Sequence, residues 1–155
     1  MFHLIFYRPQ IPGNTGAAIR LAACTGATLR VIHPTTIDFD DAKLRRAGLD
    51  YHEYARVCHH DSLDGCLESL PQGTRLFAFT GHANTYYHQV SYRPGDALMF
   101  GPEDKGLPPE VLQDSRITQL LRIPMLEGRR SLNLAVSAAL GVYEAWRQID
   151  FPDGV

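Results

Sequence analysis

Two segments of the chain carry residue types that are suited to ligand chemistry. An apolar run ends at Gly101 and Pro102, which places the carboxyl group of Glu103 in a tight turn at the end of a predicted strand. In that turn, Gly106 is expected to permit a close backbone contact. Arg20 lies on a predicted helix among small side chains, where a guanidinium can bind a carboxylate or a phosphate. Each also fits a structural role: a capped turn for Glu103, and a salt bridge across a packing surface for Arg20.

A third segment, residues 130–146, begins with Arg130 and Ser131 and continues as an almost wholly apolar helix. Ser131 is predicted to be the N-cap of this helix. No polar face develops before Glu144, apart from Asn133 and Ser137. A helix that is apolar all round is either buried or covered in part by another subunit. We therefore expect a homodimer.

A basic segment occupies residues 43–56. It combines Lys43, Arg45 and Arg46 with Tyr51 and other ring side chains, as suits an unpaired RNA loop. Four acidic residues, Asp40, Asp41, Asp50 and Glu53, lie in or just before this segment and can pair with the cations, so a solvated helix face is an equally good interpretation.

The alternation of short apolar runs with amphipathic runs predicts an α/β fold, with a mostly parallel sheet flanked by helices and one domain over residues 1–155. Strands are predicted at residues 2–7, 28–33, 55–58, 75–80, 97–101 and 119–124. Helices are predicted at residues 15–25, 40–47, 62–70, 109–113 and 131–148. Ligands bind such sheets at the carboxyl ends of the strands, and we expect the strands at 97–101 and 119–124 to end side by side there.

Composition excludes several classes of protein. The net charge of −2 argues against coating nucleic acid by bulk charge, although it allows a local basic patch. We expect no targeting peptide and no membrane span. We also expect no metal site, because the histidines lack the spacing of metal ligands. There is no P-loop, dinucleotide fingerprint or nucleophile elbow. The three cysteines have no CxxC spacing, which predicts reduced thiols in a cytoplasmic protein, with Cys24 in the core.

Three segments resemble the motifs of the SPOUT superfamily of RNA methyltransferases: NTGAAIR at 14–20, FGPEDKGL at 100–107 and RSLNLAVSAALGVYEAW at 130–146. Within it, residues 2–152 are most similar to the compact tRNA 2'-O-methyltransferases that modify the wobble nucleotide. The resemblance implies a C-terminal trefoil knot, an exception to the rule that chains are unknotted. It also implies S-adenosylmethionine as the cofactor and tRNA as the partner.

The resemblance assigns roles to individual residues. Contact with the cofactor is implied for seven residues: Phe79, Gly101, Glu103, Leu121, Ile123, Ser131 and Leu132. Catalysis is implied for Arg20, supported by Asn14 and by Tyr143 near the RNA. Contact with the tRNA backbone is expected from Lys43, Arg45, Arg46 and Arg130. One departure is that Ala135 and Val136 stand where relatives carry polar residues.

The function implied is methylation of the ribose 2'-oxygen of C34 or U34 in tRNA, with tRNA-Leu isoacceptors as the expected group. A guanidinium stays protonated at neutral pH, which favours Arg20 as an electrostatic clamp over a general base. Two alternatives remain. One is a methyltransferase for another tRNA site or for rRNA, and the other is a non-catalytic RNA-binding dimer on the same scaffold, which the substitution at residues 135 and 136 favours.

Overall fold

A computed structural model describes residues 1–40, 42, 46 and 55–155. Its strands are β1 (His3–Tyr7), β2 (Thr28–Ile32), β3 (Arg56–His60), β4 (Leu76–Phe79), β5 (Ala97–Phe100) and β6 (Gln119–Leu121). Its helices are α1 (Pro12–Thr25), α2 (Leu63–Glu68), α3 (Pro109–Leu112) and α4 (Leu134–Gln148). Most of the predicted helix at 40–47, including Lys43 and Arg45, lies outside the described residues, and so does Tyr51, although Arg46 is described and exposed.

The strands form one sheet in the order β3-β2-β1-β5-β4-β6. All of its strand pairs are parallel, which confirms the predicted α/β class. The carboxyl ends of the strands therefore meet at one edge of the sheet, here called the carboxyl edge. The expectation that β5 and β6 are neighbours was wrong, because β4 lies between them and pairs with both. The trefoil knot and the single domain stay predictions.

Both faces of the sheet are covered by apolar side chains. Alternate residues of one strand point to opposite faces, so that Phe6 packs with α1 and α4 while Ile5 packs with α2 and α3. Fully burying one such side chain contributes about 1.5–3 kcal/mol.

The buried Cys66 has its thiol pKa raised to about 11 by burial. Cys24, in contrast, is exposed, so its predicted place in the core was wrong.

Arg30, on β2, is a buried cation whose side chain contacts β1, β3 and the residue after α2. It is only 8% exposed. Its Nε donates to Nδ1 of His3 at 3.3 Å, and a terminal nitrogen donates to Oγ of Ser69 at 2.8 Å. The same terminal nitrogen lies 3.3 Å from Nε2 of His60. Burial, followed by the charge of Arg30, lowers the pKa of His3 to about 4.

Two helix starts differ from the sequence prediction. Helix α1 begins at Pro12 instead of residue 15, because the fixed backbone angle of proline suits a first helical position. Helix α4 begins at Leu134, and its N-cap is Asn133 instead of Ser131. Asn and Ser cap helices about equally well, so composition alone does not separate the two. No helix of the described residues is long and apolar enough to cross a membrane.

Candidate functional site

A cavity of about 290 Å³ opens at the carboxyl edge, where β4 and β5 end. Its apolar walls include Phe79 and Phe100, whose rings stack with centroids 4.4 Å apart. Further walls come from the turn after β5, the segments after β4 and β6, and the start of α4 with the residues before it. Polar groups come from side chains at the rim: Thr80, His82, Glu103, Asp104, Lys105, Ser131 and Ser137. Apolar walls with a few polar groups are typical of small-molecule sites.

The turn after β5 folds tightly over Gly101. A Cβ atom at Gly101 would lie 2.2 Å from the backbone nitrogen of Leu107 and 2.3 Å from the carbonyl carbon of Gly106. The close packing of backbone on backbone is therefore between Gly101 and the Gly106–Leu107 peptide, whereas a Cβ atom at Gly106 would meet no heavy atom within 4 Å. Gly106 is instead suited to this turn by its φ of +68°, which side chains disfavour.

Glu103 binds the chain segment that leads into α1. Its Oε2 accepts from the backbone nitrogen of Gln10 at 2.8 Å, and its Oε1 accepts from that of Ile11 at 3.0 Å. Nδ2 of Asn14 donates to the same Oε1 at 3.3 Å. The N-cap residue of α1, Ile11, has no capping side chain of its own. A carboxylate is favoured at a helix N-terminus, so Glu103 stabilises the start of α1 from a distant part of the sequence.

Asn14 extends this contact to α4. The buried Oδ1 of Asn14 accepts from Nδ2 of Asn133 at 2.8 Å. Oδ1 of Asn133 in turn accepts from the backbone nitrogens of Ala135 at 2.8 Å and Val136 at 3.2 Å. Glu103, Asn14 and Asn133 thus form one chain of hydrogen bonds, here called the Glu103 network, which joins the three segments picked out in the sequence. Sequence reasoning missed Asn133 as a site residue, although its position before an apolar run was a signal.

The structure places most of the predicted cofactor residues around the cavity. Six of them line it: Phe79, Gly101, Glu103, Ile123, Ser131 and Leu132. Leu121 does not line it. It is fully buried, and its carbonyl accepts from the backbone nitrogen of Thr80 at 2.9 Å. Arg130 is exposed next to the cavity residue Ser131.

None of the three predicted catalytic residues is among the described residues that line the cavity: Asn14 belongs to the Glu103 network, and Arg20 and Tyr143 lie elsewhere. Both are exposed, on α1 and α4, two helices that pack against each other. Tyr143 shares its exposed helix face with Val136 and Leu140, which are 48% and 37% exposed. Arg20 shares a face of α1 with the exposed Ala17 and Cys24. These residues are called here the α1–α4 surface: Ala17, Arg20, Cys24, Val136, Leu140 and Tyr143.

The described residues hold no group of three or more His, Cys, Asp or Glu side chains that could bind a metal ion. The cavity offers apolar walls that include the stacked rings of Phe79 and Phe100, together with hydroxyl and carboxyl groups from other lining side chains. These features suit a ligand that combines an aromatic base with polar and cationic parts.

Comparison with known proteins identifies the class. Residues 1–143 match the SpoU rRNA Methylase family, and the chain belongs to that family. A relative from Polaromonas sp. (strain JS666) is 47% identical over 152 residues, which cover 97% of this chain and 93% of the relative. That relative is a "tRNA (cytidine(34)-2'-O)-methyltransferase".

Solved structures share this fold over nearly the whole chain. One, described as "Structural insights into the 2-OH methylation of C/U34 on tRNA", has a TM-score of 0.90 at 45% identity and covers 96% of both chains. An AdoMet-bound rRNA methyltransferase from Sinorhizobium meliloti has a TM-score of 0.85 at 26% identity. That protein is larger, since the match covers 96% of this chain but 56% of the other.

Proposed function

We propose that this chain transfers a methyl group from S-adenosylmethionine to the ribose 2'-oxygen of cytidine or uridine 34 in tRNA. The observation that carries the proposal is a cavity at the carboxyl edge lined by the second and third motif segments, in a chain 47% identical to a named enzyme of this activity. Within this proposal, tRNA-Leu isoacceptors are the expected substrates. The location that suits such a substrate is the cytoplasm, which also fits the free cysteines.

The cavity suits S-adenosylmethionine by the chemistry of its lining. Phe79, Ile123 and Leu132 offer apolar contact to an adenine ring, while Ser131 offers a hydroxyl to polar parts of the cofactor. Glu103 and its neighbour Asp104 provide negative charge near a cationic sulfonium. When bound, S-adenosylmethionine supplies an electrophilic methyl group. The role of the protein is then to hold the ribose 2'-oxygen in line with that methyl group and to prevent other orientations of the ribose.

Arg20 is the proposed electrostatic catalyst. A guanidinium cation can stabilise negative charge on the 2'-oxygen as the proton leaves. The fork of nitrogen donors also suits the phosphate next to the target ribose. Asn14 is proposed to support the site through the Glu103 network, and Tyr143 to contact the RNA beside Arg20.

A homodimer is the proposed assembly, with the α1–α4 surface as the subunit contact. Val136, Leu140 and Tyr143 expose apolar area along one face of α4, and the exposed residues that accompany Arg20 on α1, Ala17 and Cys24, are small. A second copy of the chain is the proposed cover, because a self-complementary two-fold contact is the commonest form of assembly. Since Arg20 and Tyr143 lie on this surface and outside the cavity lining of their own chain, the dimer is expected to complete the active site.

Contact with the tRNA backbone is proposed for Lys43, Arg45, Arg46 and Arg130. Arg46 and Arg130 are exposed. In a dimer, each of these cations occurs twice, so the basic surface would be larger than that of one chain. A net charge of −2 per chain is compatible with such a local patch.

The test is a methyl-transfer assay with purified protein, labelled S-adenosylmethionine and tRNA that lacks ribose methylation, followed by mass identification of the nucleosides. A 2'-O-methylated pyrimidine that maps to position 34 supports the proposal. Methylation elsewhere in tRNA, or only in rRNA, would assign a different substrate. Cofactor binding with no transfer to any RNA would select the non-catalytic dimer.

A further inference from the structure

Three aromatic side chains cluster where β2 and β3 end. His33 follows β2, His59 lies near the end of β3, and Phe39 lies in the connection between these strands. The centroid of the His59 ring is 5.2 Å from that of His33 and 4.5 Å from that of Phe39. The His33 and Phe39 centroids are 5.9 Å apart, so each ring contacts the other two. These three residues are called the His33 cluster.

The two imidazoles hold each other in place. Nε2 of His33 and Nδ1 of His59 lie 2.9 Å apart, so a hydrogen bond joins the two rings. His59 is exposed, while His33 and Phe39 are half-buried. Phe39 also packs against the main core, which anchors the cluster. The result is a fixed group of rings with one edge open to solvent.

The cluster belongs to the same edge of the sheet as the cavity. Strands β2 and β5 are separated by β1 alone, and neighbouring strands lie about 4.8 Å apart. The hydroxyl of Thr35 donates to the carbonyl of Pro9, next to the two backbone nitrogens that Glu103 accepts from. The hydrogen bond from Thr35 thus ties the segment after His33 to the segment that binds Glu103, whose turn forms a wall of the cavity.

The chemistry of the cluster favours a flat uncharged group over a phosphate. Burial, followed by the charge of His33, lowers the pKa of His59, so this ring is neutral at physiological pH. Two exposed carboxylates, Asp38 and Asp40, flank Phe39 in the sequence and repel phosphates. Unpaired RNA bases, in contrast, stack on His, Phe and Tyr rings.

We propose that the His33 cluster is a stacking site for an unpaired base of the RNA substrate, a short distance along the strand from the nucleotide whose ribose is methylated. The inference rests on the proposed function, because it places the target ribose at the cavity. It adds a contact to RNA that is made through a base, and it assigns that contact to residues outside the basic segment and the three motif segments.

The test compares His59→Ala with His59→Tyr, which keeps a ring for stacking but has no imidazole. Two quantities are measured with the full chain: the KM for tRNA lacking ribose methylation, and the Kd for the same tRNA without cofactor. Loss of one stacked base is expected to raise both about tenfold in His59→Ala. The KM and the Kd of His59→Tyr are expected to stay within about threefold of the values for the unsubstituted protein. The matched control is His88→Ala, since His88 is an exposed histidine outside the cavity lining.

Affinity for S-adenosylmethionine and the circular dichroism spectrum are expected to be unchanged in all three variants. Unchanged KM and Kd in His59→Ala would overturn the inference, and so would an equal loss in His59→Tyr, which would point to the imidazole and not to stacking. If the unsubstituted protein methylates no tRNA yet binds it with this dependence on residue 59, the stacking site stands and the proposed function fails. No binding of tRNA at all would overturn both.

Discussion

The side chains of Asn14 and Asn133 are joined by a hydrogen bond of 2.8 Å, although the two residues are 119 positions apart in the sequence. Asn14 lies in the first turn of α1, and Asn133 is the N-cap of α4. Through Glu103, the same network reaches the turn after β5. The starts of two helices and one cavity wall are therefore fixed relative to one another by three side chains.

Two substitutions of Asn133 separate its role as the N-cap of α4 from its hydrogen bond to Asn14. Asn133→Asp keeps an oxygen that accepts from the first turn of α4, but a carboxylate has no proton to donate to Asn14. Asn133→Ala loses both, and we expect it to lower the free energy of unfolding by about 1 kcal/mol through the lost cap. Urea denaturation measures this effect. Both variants are expected to weaken cofactor affinity in titration calorimetry, because Ser131 and Leu132 lie in the segment before this cap.

Ser62→Ala is the matched control, since Ser62 caps α2 by accepting from the backbone nitrogen of Gly65 at 3.0 Å. It is expected to lose stability by a similar amount and to keep cofactor affinity. Full cofactor affinity in Asn133→Asp would show that the bond to Asn14 has no part in the cavity.

Gly101→Ala is expected to disrupt the turn after β5. The added Cβ would lie 2.2 Å from a backbone nitrogen that cannot rotate away. We expect a loss of about 1–3 kcal/mol of unfolding free energy, as for other overpacked sites, together with loss of cofactor binding. Gly81→Ala is the control, because Gly81 also lines the cavity but has no heavy atom within 4 Å of an added Cβ. Thermal unfolding of the two variants makes the comparison, and equal melting temperatures would contradict the steric argument.

Arg20→Lys tests the proposed electrostatic role. Lysine keeps the charge but not the planar fork of donors. We expect kcat for methyl transfer to fall by about 100-fold or more, as when one donor to a developing oxyanion is removed. Cofactor affinity should be unchanged, because Arg20 does not line the cavity of its own chain. Arg56→Lys, an exposed arginine on β3, serves as the control. Retained turnover in Arg20→Lys would exclude an essential guanidinium.

Leu140→Glu tests the homodimer. Leu140 lies at the centre of the exposed face of α4, between Val136 and Tyr143. A buried, unpaired carboxylate at a subunit contact is costly, so we expect the variant to sediment as a monomer and to lose methyl transfer. Leu126→Glu is the control, since Leu126 is 77% exposed in the loop after β6. A dimeric Leu140→Glu variant in analytical ultracentrifugation would place the subunit contact elsewhere.

Stability is expected to fall in mild acid because of His3. Its pKa is about 4 in the folded chain and ordinarily 6.5, so between these values the unfolded chain binds more protons. The contribution of neutral His3 to the free energy of unfolding is therefore complete above pH 6.5, and it is lost as the pH falls toward 4. We expect a lower unfolding free energy at pH 5 than at pH 7, with a smaller difference in His3→Gln, which does not titrate. An identical difference in both proteins, measured by urea denaturation, would exclude His3 as the cause.

Local patterns were sufficient to predict most of the strands and helices. The apolar run at 97–100 and the turn after it were read from the sequence because a buried parallel strand needs continuous apolar residues and Gly-Pro ends it. The N-cap of α4 was misplaced by two residues, because Ser131 and Asn133 have similar capping preference. The position of β4 between β5 and β6 was also missed, since strand order depends on how the chain crosses the sheet.

The sequence by itself determined the chemistry available to this protein: an acidic turn after a buried strand, an arginine on a helix of small residues, and an apolar last helix. These are properties of residue type and spacing, which local sterics and hydrophobicity translate directly into elements. Only the tertiary structure decided which of these groups meet. The bonds of Glu103 to Gln10 and Ile11, and of Asn14 to Asn133, join segments about a hundred residues apart, and no local preference encodes such pairs. The packing of the sheet and its helices brings them together, and the same packing leaves Arg20 outside the cavity.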